Sequence, residues 1–125
     1  MAIKRVMLVD DEADIRRIGE LSLARVGGWT VTLAASGQEA LDKLAEALPD
    51  VILLDVMMPG MDGPQTLTHL RARPEAAHVP VIFVTARVQR QEIELYLALG
   101  ASGVIAKPFD PMGLPDEVRQ IIAAL

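Results

Sequence analysis

The chain has 125 residues, of which 51% are hydrophobic and 23% charged, a composition that fits one folded domain and excludes a disordered chain. Twelve Lys and Arg residues against seventeen Asp and Glu residues give a formal charge of −5, so we expect no direct nucleic-acid partner. Cysteine is absent, which excludes disulfides and thiolate sites. No apolar run approaches the ~20 residues that span a bilayer, and no signal-peptide pattern is present. We therefore expect a cytoplasmic domain without membrane insertion.

The chain begins with a strand pattern followed by a helix pattern. Residues 6–9 form a short continuous apolar run, which is typical of a strand covered on both faces. A helical pattern follows and ends at Gly27 and Gly28, since glycine commonly ends helices. The loosely spaced apolar positions of this helix are Ile15, Ile18, Leu21 and Val26.

The second unit has a weaker strand and a clearer helix. Residues 30–33 are the strand candidate. Ser36 and Glu39 form a capping-box pattern, which predicts a helix start, and Pro49 predicts its end. The apolar positions of this helix have the spacing i, i+3, i+4, i+7 and are Leu41, Leu44, Ala45 and Leu48.

The third and fourth units repeat the alternation. Residues 51–54 and 81–84 are continuous apolar runs. Pro64 is well placed as the first residue of a third helix, because its missing N–H has no partner there in any case. A fourth helix is predicted over residues 89–99, and Gly100 ends it.

The fifth unit completes the predicted fold. Residues 103–106 are a short strand, and a helix follows in which Pro115 is tolerable only in the first turn. Five β-then-α units predict an α/β domain, a doubly wound parallel sheet with helices on both faces. We expect residues 1–125 to be a single domain with no output domain in this chain. The apolar stripe of the last helix is Leu114, Val118, Ile121, Ile122 and Leu125.

Polar side chains stand where four of the predicted strands end. Asp10 and Asp11 follow the first strand, and Asp55, Thr85 and Lys107 end the third, fourth and fifth. Doubly wound sheets bind ligands at the carboxyl ends of their strands, so these groups are expected to converge. Three carboxylates alone would repel one another, and a hard cation such as Mg²⁺ relieves that repulsion. The set therefore indicates a site that handles a phosphoryl group, with one carboxylate as the nucleophile.

Each of these residues also has a simpler explanation. Asp10 or Asp11 could cap the first helix, Thr85 could cap the fourth, and Asp55 could be a polar strand end. Lys107 could be a solvated surface residue. We favour the joint explanation because four strands each end in a residue type that phosphoryl chemistry needs.

Four motifs in chain order resemble the receiver domains of bacterial two-component response regulators. They are Val9-Asp10-Asp11-Glu12, the stretch 54–63, Val84-Thr85-Ala86 and Lys107-Pro108-Phe109. The resemblance implies a flavodoxin-like sheet with strand order 2-1-3-4-5. It implies a phosphorylation-dependent signalling switch rather than an enzyme with a separate substrate.

The resemblance also assigns the site residues. Asp55 is implied as the phosphoacceptor, with Thr85 as the switch hydroxyl and Lys107 as the cation that pairs with the phosphoryl oxygens. Met57 and Arg87 are expected to flank the site and tune the lifetime of the acyl phosphate. The Lys107-Pro108 bond is expected to be cis. The implied Mg²⁺ ligands are Asp11, Asp55 and the backbone carbonyl of Met57, with Asp10 assisting through water.

One position departs from the family pattern. Receiver domains often carry an aromatic residue three positions before the lysine, where this chain has Val104. Tyr96, on the predicted fourth helix, is not taken as its replacement. We therefore expect signalling to rely on loop movement and on the surface formed by the fourth helix, fifth strand and fifth helix.

The resemblance implies protein partners on both sides of the switch. A sensor histidine kinase or a phosphotransfer protein would supply the phosphoryl group, docking near Ile15, Ile18, Pro108 and Phe109. Core packing is the alternative explanation for the two isoleucines. A downstream protein would receive the signal.

Two other functions are weighed against the switch. A degenerate receiver would act only as a protein-interaction module, which Val104 favours slightly and the complete acid set opposes. A small metal-dependent phosphatase would need a substrate pocket, and the sequence shows no specificity loop for one.

Overall fold

The computed structural model describes residues 2–125 and shows, within them, one sheet of five parallel strands in the order β2-β1-β3-β4-β5. The expected doubly wound architecture and strand order are therefore confirmed. The strands are β1 (Arg5–Val9), β2 (Thr30–Ala34), β3 (Val51–Asp55), β4 (Val81–Thr85) and β5 (Gly103–Ala106). The helices are α1 (Ala13–Leu21), α2 (Gly37–Lys43), α3 (Gly63–Arg71), α4 (Arg90–Ala98) and α5 (Leu114–Ala123).

Two hydrophobic clusters lie on opposite faces of the sheet. Because strand side chains alternate between faces, Val81 and Phe83 of β4 enter one cluster, while Ile82 and Val84 enter the other. The first cluster includes residues of α2, α3 and α4, and the second includes residues of α5 and of the turn after α1. Each fully buried large apolar side chain contributes about 1.5–3 kcal/mol by leaving water. The central strands are buried on both faces, which explains their continuous apolar sequences.

The first helix differs from the prediction. A π-helical segment, Ser22–Val26, follows α1 directly and turns Ser22 and Leu23 into the core. Ile18 and Leu21 are 42% and 47% exposed, and with Val26 three of the four expected apolar positions face solvent. The fourth, Ile15, is half-buried. The wider turn changes which residues face the sheet, and this explains the loose apolar spacing in the sequence.

The second helix is shorter than predicted. It ends at Lys43, well before Pro49, and the exposed side chain of Leu48 lies outside it. Ser36 accepts a hydrogen bond from the N–H of Glu39 at 3.0 Å, as the capping pattern predicts. The Glu39 carboxylate instead accepts from the N–H of Ala35, so the reciprocal half of the box is displaced by one residue.

Among residues 2–125, no helix combines the length and the apolar character needed to cross a bilayer.

Candidate functional site

The predicted site residues meet at the carboxyl edge of the sheet. Asp55 and Thr85 are the last residues of β3 and β4, Asp10 follows β1, and Lys107 follows β5. Within the described residues, carboxylate oxygens of Asp10, Asp11 and Asp55 lie within 4.8 Å of one another. The parallel topology alone produces this convergence, because it places every strand end at the same edge.

Asp10 is held in one orientation by hydrogen bonds to both of its carboxylate oxygens. The side chain is buried, with 1% of the residue exposed. Its Oδ1 accepts from the N–H of Glu12 at 2.9 Å, and its Oδ2 accepts from Nζ of Lys107 at 2.7 Å. The backbone is fixed as well, because the carbonyl of Asp10 accepts from Arg16 at 2.7 Å. Asp10 is therefore an orienting acid whose oxygens are already engaged.

Lys107 joins two of the acids. Its Nζ also donates to Oδ1 of Asp55 at 3.1 Å, and its backbone N–H donates to the carbonyl of Thr85 at 2.9 Å. Burial acts to lower the pKa of the Lys107 ammonium, but the hydrogen bonds and charges of Asp10 and Asp55 outweigh it and raise that pKa. The ammonium therefore stays charged and partly balances the acids. The Lys107-Pro108 peptide bond is cis, as expected.

Asp55 is a buried carboxylate whose pKa is strongly shifted. Burial and the negative charge of Asp10 raise the pKa of Asp55 to about 6, although Lys107 acts in the opposite direction. A carboxylate in this position gains from any added positive charge. The site is thus built to attract a cation or to lose its negative charge.

Thr85 and Asp55 border an open cavity of about 190 Å³. The Thr85 hydroxyl oxygen accepts from the N–H of Arg87 at 3.1 Å, which leaves the hydroxyl proton free to donate. Asp10 is not part of the cavity wall. The cavity is lined by Glu12, Asp55, Met57, Thr85, Ala86, Arg87 and Lys107.

Met57 and Arg87 line the cavity, as expected, and Glu12 lines it as well. The two expected residues lie at the rim, and the Met57 side chain is mostly exposed. Glu12 was assigned no role from the sequence. Only its position directly after Asp10 and Asp11 could have indicated that it borders the site.

The donor set fits Mg²⁺. All three side chains present carboxylate oxygens, the hard ligands that Mg²⁺ prefers, and one of them faces the cavity. Lys107 balances only part of their negative charge, so a divalent cation would relieve the remaining repulsion. The carbonyl of Met57 as a further ligand stays a prediction.

The loop behind Asp55 depends on a glycine. The N–H of Gly63 donates to the carbonyl of Val56 at 2.9 Å, and a Cβ at Gly63 would lie 2.7 Å from the Asp55 carbonyl oxygen. Asp62 precedes it and forms a full capping box with Gln65, and this pattern in the sequence is a further signal for the start of α3.

Gly63→Ala is expected to displace the backbone that carries Asp55. We expect a loss of about 1–3 kcal/mol in the free energy of unfolding, because the contacted atoms are backbone and have little room to move. Phosphoryl labelling by acetyl phosphate should also slow. Gly28→Ala is the control, since its positive φ of 74° gives a similar strain of about 1–2 kcal/mol, but it precedes β2 at the opposite edge of the sheet. Equal labelling rates in the two variants would contradict the prediction.

Comparison with known proteins identifies the family. The family model described as "Response regulator receiver domain" matches residues 6–119. This chain belongs to that family. Receiver domains are phosphoacceptor switches of two-component systems, so the expected family and its general role are confirmed.

The receiver domain has similar relatives and similar solved structures. Response regulator Rre1 of Synechocystis sp. is 37% identical over 118 residues, which is 94% of this chain and 51% of that protein. The probable transcriptional regulator ycf27 of Guillardia theta is 38% identical over 95% of this chain and 45% of its own length. Chemotaxis response regulator CheY4 of Vibrio cholerae has a TM-score of 0.87 at 32% identity, covering 96% of this chain and 99% of that one.

The receiver chain spans about half the length of these two curated relatives. One of them is named a transcriptional regulator. The expectation of no direct nucleic-acid partner is therefore not confirmed and stays a prediction for these 125 residues.

Proposed function

We propose that this receiver domain is a phosphorylation-dependent signalling switch in which Asp55 is the phosphoacceptor. We choose Asp55 over the other two acids as the phosphoacceptor because it borders the cavity. Asp10 is buried away from the cavity with both oxygens engaged, and Asp11 does not line it. A phosphoryl donor that enters the cavity therefore meets Asp55 first.

The proposed step is transfer of a phosphoryl group from a phosphohistidine of a sensor histidine kinase or phosphotransfer protein. A carboxylate oxygen of Asp55 attacks phosphorus, so that an O–P bond forms as the N–P bond of the donor breaks. The imidazole nitrogen leaves with the electron pair of that bond. Lys107, already 3.1 Å from Asp55, pairs with the phosphoryl oxygens, and the Thr85 hydroxyl donates to one of them.

We propose that Asp11, Asp55 and the Met57 carbonyl hold Mg²⁺, with Asp10 assisting through water. When bound, the ion neutralises charge on the phosphoryl oxygens during transfer. Asp10 orients the site through its bonds to Glu12 and Lys107.

The switch is proposed to reset itself by hydrolysis. An aspartyl phosphate is a mixed anhydride, so water can attack the phosphorus and release inorganic phosphate, which restores the carboxylate. Met57 and Arg87 stand at the rim through which water reaches Asp55 and are proposed to set the lifetime. The domain assists its own phosphorylation and dephosphorylation and turns over no separate substrate.

The test is chemical mapping of the phosphoryl group. Incubation with acetyl phosphate and Mg²⁺ should add one phosphoryl group to the intact mass, and hydroxylamine should remove it. Borohydride reduction converts an aspartyl phosphate to homoserine, which peptide sequencing should then find at position 55. Homoserine at position 10 or 11 would move the role to that acid. No adduct in a folded, Mg²⁺-binding protein would favour the pure interaction module.

The docking surface for the phosphoryl donor is proposed at α1 and the loop after β5. An apolar depression of about 350 Å³ lies there. Phe109 is half-buried and packs against the second cluster, so it is a weaker contact candidate than expected, whereas Pro108 is exposed. The depression is lined by Ile18, Leu21, Ser22, Arg25, Val26, Pro111 and Met112.

Ile18→Asp is expected to impair transfer from a phosphohistidine protein without impairing labelling by acetyl phosphate. A charge in an apolar contact should slow protein-to-protein transfer by roughly tenfold or more. The comparison uses initial transfer rates from a kinase or phosphotransfer partner. Leu95→Asp on α4, another exposed apolar position, is the control and should leave transfer unchanged. An equal fall in labelling by acetyl phosphate would indicate a folding defect, and the variant would then give no support to the proposed docking surface.

A downstream protein is proposed as the direct recipient of the signal. The formal charge of −5 favours a protein surface over a nucleic-acid backbone for these residues.

A further inference from the structure

Helix α4 is attached to the sheet mainly through one side chain. Within α4, all of whose residues lie in the described part of the chain, Tyr96 is the one buried residue, with 6% exposed. Leu95 and Leu97 on either side are 57% and 47% exposed, and Leu99 at the end of the helix is exposed too. Such a helix has few apolar contacts to oppose its movement.

Tyr96 connects α4 to the strand that carries Thr85. Its ring stands edge-on to the ring of Phe83, with centroids 5.3 Å apart and an interplanar angle of 86°. Phe83 lies two residues before Thr85 in β4, so both side chains project from the same face of the sheet. Val104 of β5 pairs in register with Phe83 and packs against the same cluster. Strand β4 and the aromatic pair thus connect Thr85, which borders the cavity, to α4.

We propose that Tyr96 is the residue through which the phosphoryl site controls the position of α4. This inference rests on the proposed function and names the residue that carries the conformational change to the helix. In this structure the Thr85 hydroxyl is held by the N–H of Arg87. In this proposal, donation from the free hydroxyl proton to a phosphoryl oxygen on Asp55 draws Thr85, and with it the end of β4, towards Asp55. Phe83 is fully buried, so the packed aromatic contact cannot absorb this displacement without changing.

The consequence is a discrete change in α4. Because Tyr96 supplies the burial, loss of its contact with Phe83 lets the helix shift as a unit. The exposed leucines of α4 then change their position relative to β5 and α5. The sequence alone indicates no part for Tyr96 in the switch, but in the structure its ring lies beside Phe83, and the small Val104 packs against the same cluster.

The experiment uses the fact that Tyr96 is the single tyrosine of the chain, so its ring signals in NMR are unambiguous. Beryllofluoride with Mg²⁺ serves as the phosphoryl mimic. The Tyr96 ring and the amides across residues 88–109 should shift together with the amides of Asp55 and Thr85, and hydrogen exchange should quicken across α4. Shifts at Asp55 and Thr85 with an unchanged Tyr96 and α4 would overturn the inference. Absence of any shift at Asp55 and Thr85 would overturn the proposed function, and this inference with it.

Two variants distinguish the effect of the aromatic contact from the effect of burying an apolar side chain. Tyr96→Phe keeps the edge-on ring and should behave as the unmodified protein. Tyr96→Leu removes the ring, weakens the docked position of α4 and should tighten beryllofluoride binding by roughly fivefold or more. Leu97→Ala, an exposed position on the same helix, is the matched control and should leave the affinity unchanged. An unchanged affinity in Tyr96→Leu would overturn the inference.

Discussion

Asp55→Asn should abolish the phosphoryl adduct and at the same time stabilise the unphosphorylated domain. The amide keeps the shape of the side chain but lacks the nucleophilic carboxylate oxygen. Burial and the charge of Asp10 raise the pKa of Asp55 to about 6, from a usual value of 3.8, so its ionised form is disfavoured in the folded state. This difference corresponds to at most about 3 kcal/mol. Because the buried amide of the variant also has to leave water, we expect a net gain of about 1–2 kcal/mol.

The pH dependence of this gain has a definite sign. Above a pH of about 6 the carboxyl is ionised in both the folded and the unfolded state, and the full destabilisation by Asp55 is present. As the pH falls from about 6 towards 3.8, the folded state takes up the proton first, and the destabilisation disappears. The stability advantage of Asp55→Asn should therefore be large at neutral pH and small near pH 4.

Urea unfolding without Mg²⁺ measures the effect. Asp42→Asn is the control, because Asp42 is an exposed acid on α2 and its replacement should change stability little at either pH. An Asp55→Asn variant that unfolds more easily than the unmodified protein at neutral pH would contradict the prediction. A gain that persists unchanged near pH 4 would show that the pKa of Asp55 is not its cause.

The sheet and the composition of the site were predictable because both follow from local sequence and topology. Strands buried on both faces must be apolar at consecutive positions, so β3 and β4 were found to within one residue. A parallel sheet then brings Asp10, Asp55, Thr85 and Lys107 to one edge whatever the loops between them do. The predicted site therefore needed no knowledge of side-chain contacts.

The faces of the helices were not predictable, because they depend on contacts between distant segments. Ser22 is polar and yet buried, since its hydroxyl donates to the carbonyl of Pro111 from the loop before α5. The π-helical turn that makes this contact also exposes Ile18 and Leu21, and no local propensity marks such a turn. The docking surface proposed for the phosphoryl donor exists because of this turn.

The strength of the repulsion between the acids of the site could likewise not be predicted from the sequence. With a solvated side chain, Asp55 would have an ordinary pKa. Only the burial of Asp10 and Asp55, which are 1% and 4% exposed, makes their mutual repulsion strong. The structure thus indicates that the stability of the domain depends on the positive charge of Lys107, which the motifs alone do not show.

Lys107→Gln is accordingly expected to destabilise the domain strongly. The variant keeps most of the side-chain volume but removes the ammonium that lies 2.7 Å from Asp10 and 3.1 Å from Asp55. Breaking a buried ion pair while its partners stay charged typically costs about 3–5 kcal/mol. Labelling by acetyl phosphate should also fall by roughly 10²-fold or more, because the charge that stabilises the phosphoryl oxygens is lost.

The cause of this destabilisation can be separated from a loss of packing. If the uncompensated acids are responsible, Lys107→Gln should recover stability as the pH falls through about 6, since the pKa of Asp55 is already raised to that value and rises further without the ammonium. Asp55→Asn in the same chain should restore part of the loss, a coupling that a double-mutant cycle measures.

Lys43→Gln is the matched control for the loss of stability expected in Lys107→Gln. Lys43 pairs with Glu39 at 3.3 Å on α2, and both side chains are partly exposed, so that this i,i+4 ion pair contributes only about 0.3–0.5 kcal/mol. A loss in Lys107→Gln no greater than that in Lys43→Gln would show that the acids tolerate their own repulsion. The proposed role of Lys107 as the cation that balances the acids would then be wrong. A large loss that is independent of pH and unchanged by Asp55→Asn would instead assign Lys107 a packing role.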